Sequence, residues 1–105
     1  MHIDRIPGRV AFAHVSDDLP ALAEVVAAVD DARAGCVATF LGVVRDHDLG
    51  RAVARLDYSA HPSASARLAD LAAEVAALPD VTGVAVAHAV GSLAIGDVAV
   101  VAAVA

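Results

Sequence analysis

The chain has 105 residues, enough for one domain around one core and too few for two independent cores. Hydrophobic residues make up 59% and aromatic residues only 3%, so that core has to be assembled mostly from Ala and Val. A formal net charge of -6 argues against nucleic acid, whose binding needs a basic face to release counterions, and any anion must be held locally.

The basic residues are Arg5, Arg9, Arg33, Arg45, Arg51, Arg55 and Arg67, which leaves no lysine anywhere. The opening "MHIDRIPGR" is polar and leads into no apolar signal segment. Cys36 stands alone inside an apolar run, where it is expected to be a small buried hydrophobe with no internal disulfide. These features fit a cytoplasmic protein.

In chain order, "RVAFAHV" sets Val10, Phe12 and His14 against Ala11, Ala13 and Val15, the period-2 pattern of a strand. "SDD" follows, where Ser16, Asp17 or Asp18 can cap a helix with Pro20 in its early turn. Leu22, Val25, Val26 and Val29 then recur at helical spacing. "GCVATFLGVVR" is apolar on both alternating faces, which suits a strand buried on both sides and predicts the central strand of the sheet. "DHDLG" supplies turn residues, and "RAVARLDYSA" reads as a further strand.

His61, Pro62 and Ser63 mark the entry to a second helix with Leu68, Leu71, Val75 and Leu78 as its predicted buried stripe, ended by Pro79 and Asp80. "VTGVAVAHAVG" alternates again, placing His88 on the face of Val84 and Val86, and "SLAIGD" turns the chain into "VAVVAAVA". From Val81 onward the only formal charge is Asp97, but glycine breaks, an imidazole and β-branching favour two short strands over a membrane span. The predicted order is β-α-β-β-α-β-β, an α+β fold. The last run stays apolar to Ala105, which fits either an edge strand of a compact fold or a chain that continues.

Arg45 closes an apolar strand and opens a polar, glycine-containing loop. Its planar fork there can grip a phosphate at two points, or it can pair with Asp46 or Asp48 at the surface. His47, two residues on, can donate a hydrogen bond or move a proton near neutral pH, or simply be solvated. His88 reads first as a hydrogen-bonded core imidazole and second as a residue lining a pocket. The histidines His2, His14, His47, His61 and His88 are scattered without metal-ligand spacing, so no metal is expected.

At this point the text resembles the large catalytic subunit of molybdopterin synthase, the MoaE family. "GCVATFLGVVRDHDLGRAV" is similar to that family's Gly-Ala-x-Val-x-Phe-x-Gly-x-Val-Arg-(Asn/Asp)-His-Asn-x-Gly pattern, "LDYSAHP" follows before the second helix, and "HAVGSLAIGD" looks like its His-Arg-(Ile/Val)-Gly-x-Leu-x-x-Gly-(Glu/Asp) hairpin. The resemblance runs from about Gly8 to the last residue. It implies a single domain over 1-105 with an α/β-hammerhead-like fold and a mixed or antiparallel sheet, lacking the family's C-terminal segment.

The activity implied is sulfur transfer in molybdenum cofactor biosynthesis. A thiocarboxylate on the Gly-Gly tail of a ubiquitin-like small subunit delivers two sulfurs to cyclic pyranopterin monophosphate, giving the dithiolene. The implied partners are that small subunit and a second copy of the chain, in a heterotetramer, with no nucleic acid, membrane or cofactor. Carried over residue by residue, Val43, Val44 and Arg45 match the substrate-binding segment, with Arg45 on the phosphate. His47, Gly50 and Arg51 fall in its loop and His88 at the hairpin, where Ala89 replaces a usual arginine.

The family continues after this point with a Ser-x-His-Arg segment, a long helix and a Lys-Lys segment whose lysines are central to catalysis. With no lysine here, no catalytic residue is assigned, since arginine cannot deprotonate to replace one. Two other readings stay open: a catalytically inactive paralogue serving as a scaffold or regulator for the small subunit or a sister large subunit, and a small anion-binding α+β module unrelated to pterins.

Overall fold

Two strands made almost wholly of Ala and Val organise the molecule. The computed structural model describes residues 8–48, 51–52, 55–58 and 62–105, with 47–48, 51–52 and 55–58 described by backbone alone. The elements are β1 (Arg9–Ser16), α1 (Leu22–Ala28), β2 (Ala38–Val43), β3 (His47–Asp48), β4 (Arg51–Ala52), β5 (Arg55–Tyr58), α2 (Ala64–Ala76), β6 (Gly83–Ala89), β7 (Gly91–Ala94) and β8 (Val98–Val104). Strands β1, β6, β8 and β2 form one mixed sheet in that order; β1 runs parallel to β6, while β6, β8 and β2 are antiparallel neighbours. Two short ladders stand apart, β3 with β4 and β5 with β7.

Alternation along β6 separates two packed layers. Ala85 and Ala87 lie with Val101 and Ala103 of β8 beneath Val25 and Val29 of the α1 region, all essentially without exposure. On the opposite face, Val84 packs with Ala72 and Ala76 of α2, flanked by the half-buried Ala13, Val86 and Val104. The helices therefore cover opposite faces of the sheet. Phe12 and His14, on one face of β1 as the alternation predicts, stack their rings in parallel with centroids 5.1 Å apart.

The α+β class and the mixed sheet agree with the sequence reading, but several local expectations do not. The predicted central strand is an edge among the described residues: there β2 pairs only with β8, and Phe40, Leu41 and Val43 are 60%, 47% and 56% exposed. Apolarity on both faces reports avoidance of water, which a neighbouring strand or another molecule can satisfy equally well. Cys36, just before β2, is exposed rather than buried.

Of the stripe predicted for the second helix, Val75 packs against the core and Leu68 is half-buried, but the fully buried positions are the small Ala72 and Ala76, while Leu71 and Leu78 are exposed and Leu78 lies beyond the helix end. In the first helix Val25 and Val29 are buried as expected, but Leu22 is exposed. No side chain caps this helix; its N-cap is Ala21, and the Asp18 N–H donates to Ser16 Oγ at 3.0 Å, so "SDD" is used for a turn. The seven elements read from the sequence become ten because the "DHDLG" region carries the β3–β4 ladder and "SLAIGD" contains most of β7.

These packing assignments separate two substitutions that sequence pattern treats alike. Val29→Ala should cost about 2 kcal/mol, the scale of an emptied core position, whereas Leu71→Ala should cost well under about 1 kcal/mol. Urea unfolding of both variants checks this, and a larger loss from Leu71 would restore the leucine stripe as the packed face.

Candidate functional site

The end of β2 is fixed by backbone more than by side chains. Its register with β8 is regular from Ala38 to Gly42 and then shifts by one residue, so Val43 faces Val98 rather than Ala99. Such a bulge re-aims the strand where it leaves the sheet. Close approach makes this possible: a Cβ on Gly42 would overlap Val100 Cγ1.

Val44 is then held at both its peptide groups. Its N–H donates to the Asp97 carbonyl at 3.0 Å and its carbonyl accepts from the Gly96 N–H at 2.8 Å. Its side chain is buried, at 4% exposure. Arg45 follows immediately and is exposed, so the arginine springs from a residue anchored on three counts.

The clamp is supplied by the turn between β7 and β8. There the Asp97 N–H donates to the Ala94 carbonyl at 3.0 Å, and the Ala94 N–H donates back to Asp97 Oδ2 at 2.9 Å. Gly96 has φ of 89°, a left-handed conformation that suits glycine at the third position of such a turn. Sequence reading took "IGD" as a turn only and missed its hold on Val44. The Gly-Asp pair was the available signal, but its partner lies about fifty residues earlier and shares no side-chain pattern with it.

The predicted residues are distributed unevenly. Val43, Val44 and Arg45 stand consecutively at the exit of β2, with Val43 exposed and Val44 buried. His47 and Arg51 belong to the β3–β4 ladder, where His47 is opposite Ala52 and Asp48 opposite Arg51. This makes the loop after Arg45 a hairpin; Gly50 lies outside the described residues.

His88 is opposite Val100, and Val100 is opposite Gly42, so the three share one row across the sheet. That row spans about 10 Å, two inter-strand spacings, and sets His88 at the same end of the sheet as Val43. His88 is half-buried and donates from Nδ1 to the Ala89 carbonyl at 2.8 Å, the hydrogen-bonded role read first from the sequence.

Electrostatics divide the surroundings. A cleft of about 410 Å³ opens between the approach to α1 and β8, lined by Leu19, Leu22, Leu41 and Val98 together with the acids Asp17 and Asp97. Among the described residues this lining carries two carboxylates and no arginine, which disfavours an anion there. Two other arginines serve the scaffold: Arg9 donates to the Ala28 carbonyl at 2.8 Å, and Arg33 pairs with Asp31 at 2.7 Å. Hydrogen bonds from the Arg33 side chain and then its backbone N–H hold the Asp31 carboxyl well below the usual carboxylate range, and the same side-chain bond raises Arg33.

A β-bulged edge strand, a mixed sheet and helices on its opposite faces define an α+β protein of the kind seen in solved molybdopterin biosynthesis proteins. The MoaE protein of Burkholderia ambifaria superposes with a TM-score of 0.72 at 31% identity, covering 93% of this chain and 64% of that one. Molybdopterin synthase from Staphylococcus aureus gives 0.72 at 28% identity over 90% of this chain and 69% of that one. The MoaE protein family model matches residues 15–105, and the chain belongs to that family.

Among curated relatives, molybdopterin synthase catalytic subunit 1 of Mycobacterium tuberculosis is 38% identical over 95 residues, which is 90% of this chain and 65% of the relative. The catalytic subunit of Bacillus subtilis is 37% identical over 81 residues, 76% of this chain and 52% of that protein. The chain thus spans between half and two-thirds of the length of these curated relatives.

The Asp31–Arg33 pair has a defined pH signature. Because the folded carboxyl is held below its ordinary value of 3.8, its contribution is in place above that pH and disappears only as pH falls further, through the lowered value. A carbon-detected NMR titration should find Asp31 the last aspartate to protonate. In Arg33→Ala it should return to the ordinary range; an unchanged titration would show that Arg33 is not the cause.

Proposed function

We propose that the chain acts in molybdenum cofactor biosynthesis as a molybdopterin synthase large subunit, and that the exit of β2 holds the phosphate of cyclic pyranopterin monophosphate. The observation that carries the site is the backbone clamp on Val44, which presents Arg45 from an anchored strand end. Arginine suits this task because its fork donates two parallel, charge-assisted hydrogen bonds to phosphate oxygens. His47, Gly50 and Arg51 match the loop of the family pattern that follows Arg45, and His88 borders the same end of the sheet. Family membership with named catalytic subunits supports this reading over an inactive scaffold.

The reaction is sulfur transfer from the thiocarboxylated Gly-Gly tail of a ubiquitin-like small subunit, in the cytoplasm. The lysines that the family resemblance implies for that chemistry are not among these 105 residues, and arginine cannot lose a proton to replace them. Calorimetry with cyclic pyranopterin monophosphate tests the binding role: Arg45→Ala should lose about 1.5 to 3 kcal/mol, the scale of hydrogen bonds to a charged group. Equal affinity of the two proteins would sink the phosphate assignment.

A second copy of the chain is the other proposed partner, at the edge of β2 that has no strand neighbour among the described residues. From Gly35 to Val44 the sequence carries no charge, and Phe40, Leu41 and Val43 are exposed along it. Unpaired, apolar strand edges favour strand addition, and a charge-free edge lets two chains of charge -6 approach with least repulsion. Sedimentation velocity should show a concentration-dependent dimer that Phe40→Lys converts to monomer while circular dichroism stays the same. A native chain that remains monomeric across the range would remove this surface from consideration.

A further inference from the structure

We propose that Asp97 is a positioning residue for Arg45, acting through the β7–β8 turn and the backbone of Val44. The inference rests on the reading of Arg45 as the phosphate-binding residue. Asp97 does two things at once. Its carbonyl accepts the Val44 N–H at 3.0 Å, and its carboxylate accepts the Ala94 N–H at 2.9 Å, which closes the turn from the side opposite the Asp97 N–H bond to the Ala94 carbonyl.

The turn so closed also aims the Gly96 N–H at the Val44 carbonyl, 2.8 Å away. Without the carboxylate, one of the two bonds across the turn is gone, and the donor and acceptor that grip Val44 are free to drift. A bidentate arginine contact depends on direction as well as distance, and supporting groups must hold such a site to within about 0.5 Å. Asp97 itself never needs to touch the ligand. Its negative charge near an anion site is tolerable because the carboxylate is engaged by a peptide N–H.

The test is a double-mutant comparison by calorimetry with cyclic pyranopterin monophosphate on the full chain. Asp97→Ala should weaken binding about 5-fold or more, and Asp97→Asn, whose amide oxygen can still accept from Ala94, should recover most of it. In an Arg45→Ala background, Asp97→Ala should make no further difference. Amide exchange adds a readout independent of ligand: the Val44 N–H should exchange faster in Asp97→Ala while the amides of β6 keep their protection. If Asp97→Ala does not fold, Asp97→Ser, which shortens the acceptor, should show the same pattern at smaller amplitude.

Normal binding by Asp97→Ala beside a weakened Arg45→Ala would overturn the positioning role alone. An equal loss in both backgrounds would also overturn it, since it would mark a general structural defect. Undiminished binding by Arg45→Ala would instead remove the phosphate reading, and this inference with it.

Discussion

A core with almost no rings imposes the architecture. With two Phe and one Tyr in the whole chain, helices and sheet must approach closely to leave no voids, and only very small side chains at the sheet centre permit that. Ala85, Ala87 and Ala103 meet this need with no exposure at all, and Val25 and Val29 fill the space above them. Enlarging any of these alanines would overpack the layer. The small residues of β6 and β8 therefore take the middle of the sheet, and the bulkier Phe40 and Leu41 of β2 are displaced to its rim.

That displacement explains what could and could not be read from the sequence. Alternation in β6 was legible because that strand keeps distinct faces against distinct layers, whereas in β1 an irregularity between Val10 and Phe12 sets Ala11 and Phe12 against the same layer. The rank of β2 was not, because hydropathy counts residues that avoid water and is silent about which surface covers them. The second helix misled for a related reason: leucines outrank alanines in hydrophobicity, yet against a sheet already packed closely the small face of Ala72 and Ala76 is the one that fits. "SDD" carried a capping signal, but the same Ser16 hydroxyl serves a local turn with equal ease.

The proposed site shows its residue types in the sequence but not the backbone that positions them. An arginine ending an apolar strand, with histidine and glycine after it, announces itself by residue type. The device that holds it consists of peptide groups contributed by Gly96 and Asp97, and backbone hydrogen bonds over that separation leave no spacing to find. Only the identity of the turn residues hinted at it: Gly where φ is positive, and Asp where a carboxylate can bond back to the chain.

The proposed anion site has to work on a chain of charge -6. Net charge acts over the whole surface but is screened beyond about 8 Å at physiological salt, so the local arrangement decides. Asp17 and Asp97 line the cleft on the α1 side of the sheet, Asp97 with its carboxylate engaged by the Ala94 N–H, and Asp31 is neutralised by Arg33. A phosphate approaching that cleft meets like charge, whereas the proposed site at the exit of β2 presents Arg45 next to the backbone-anchored Val44, which lowers the ordering that binding must still impose. Acidic surroundings of this kind disfavour anions near the cleft, so binding at the proposed site depends on Arg45.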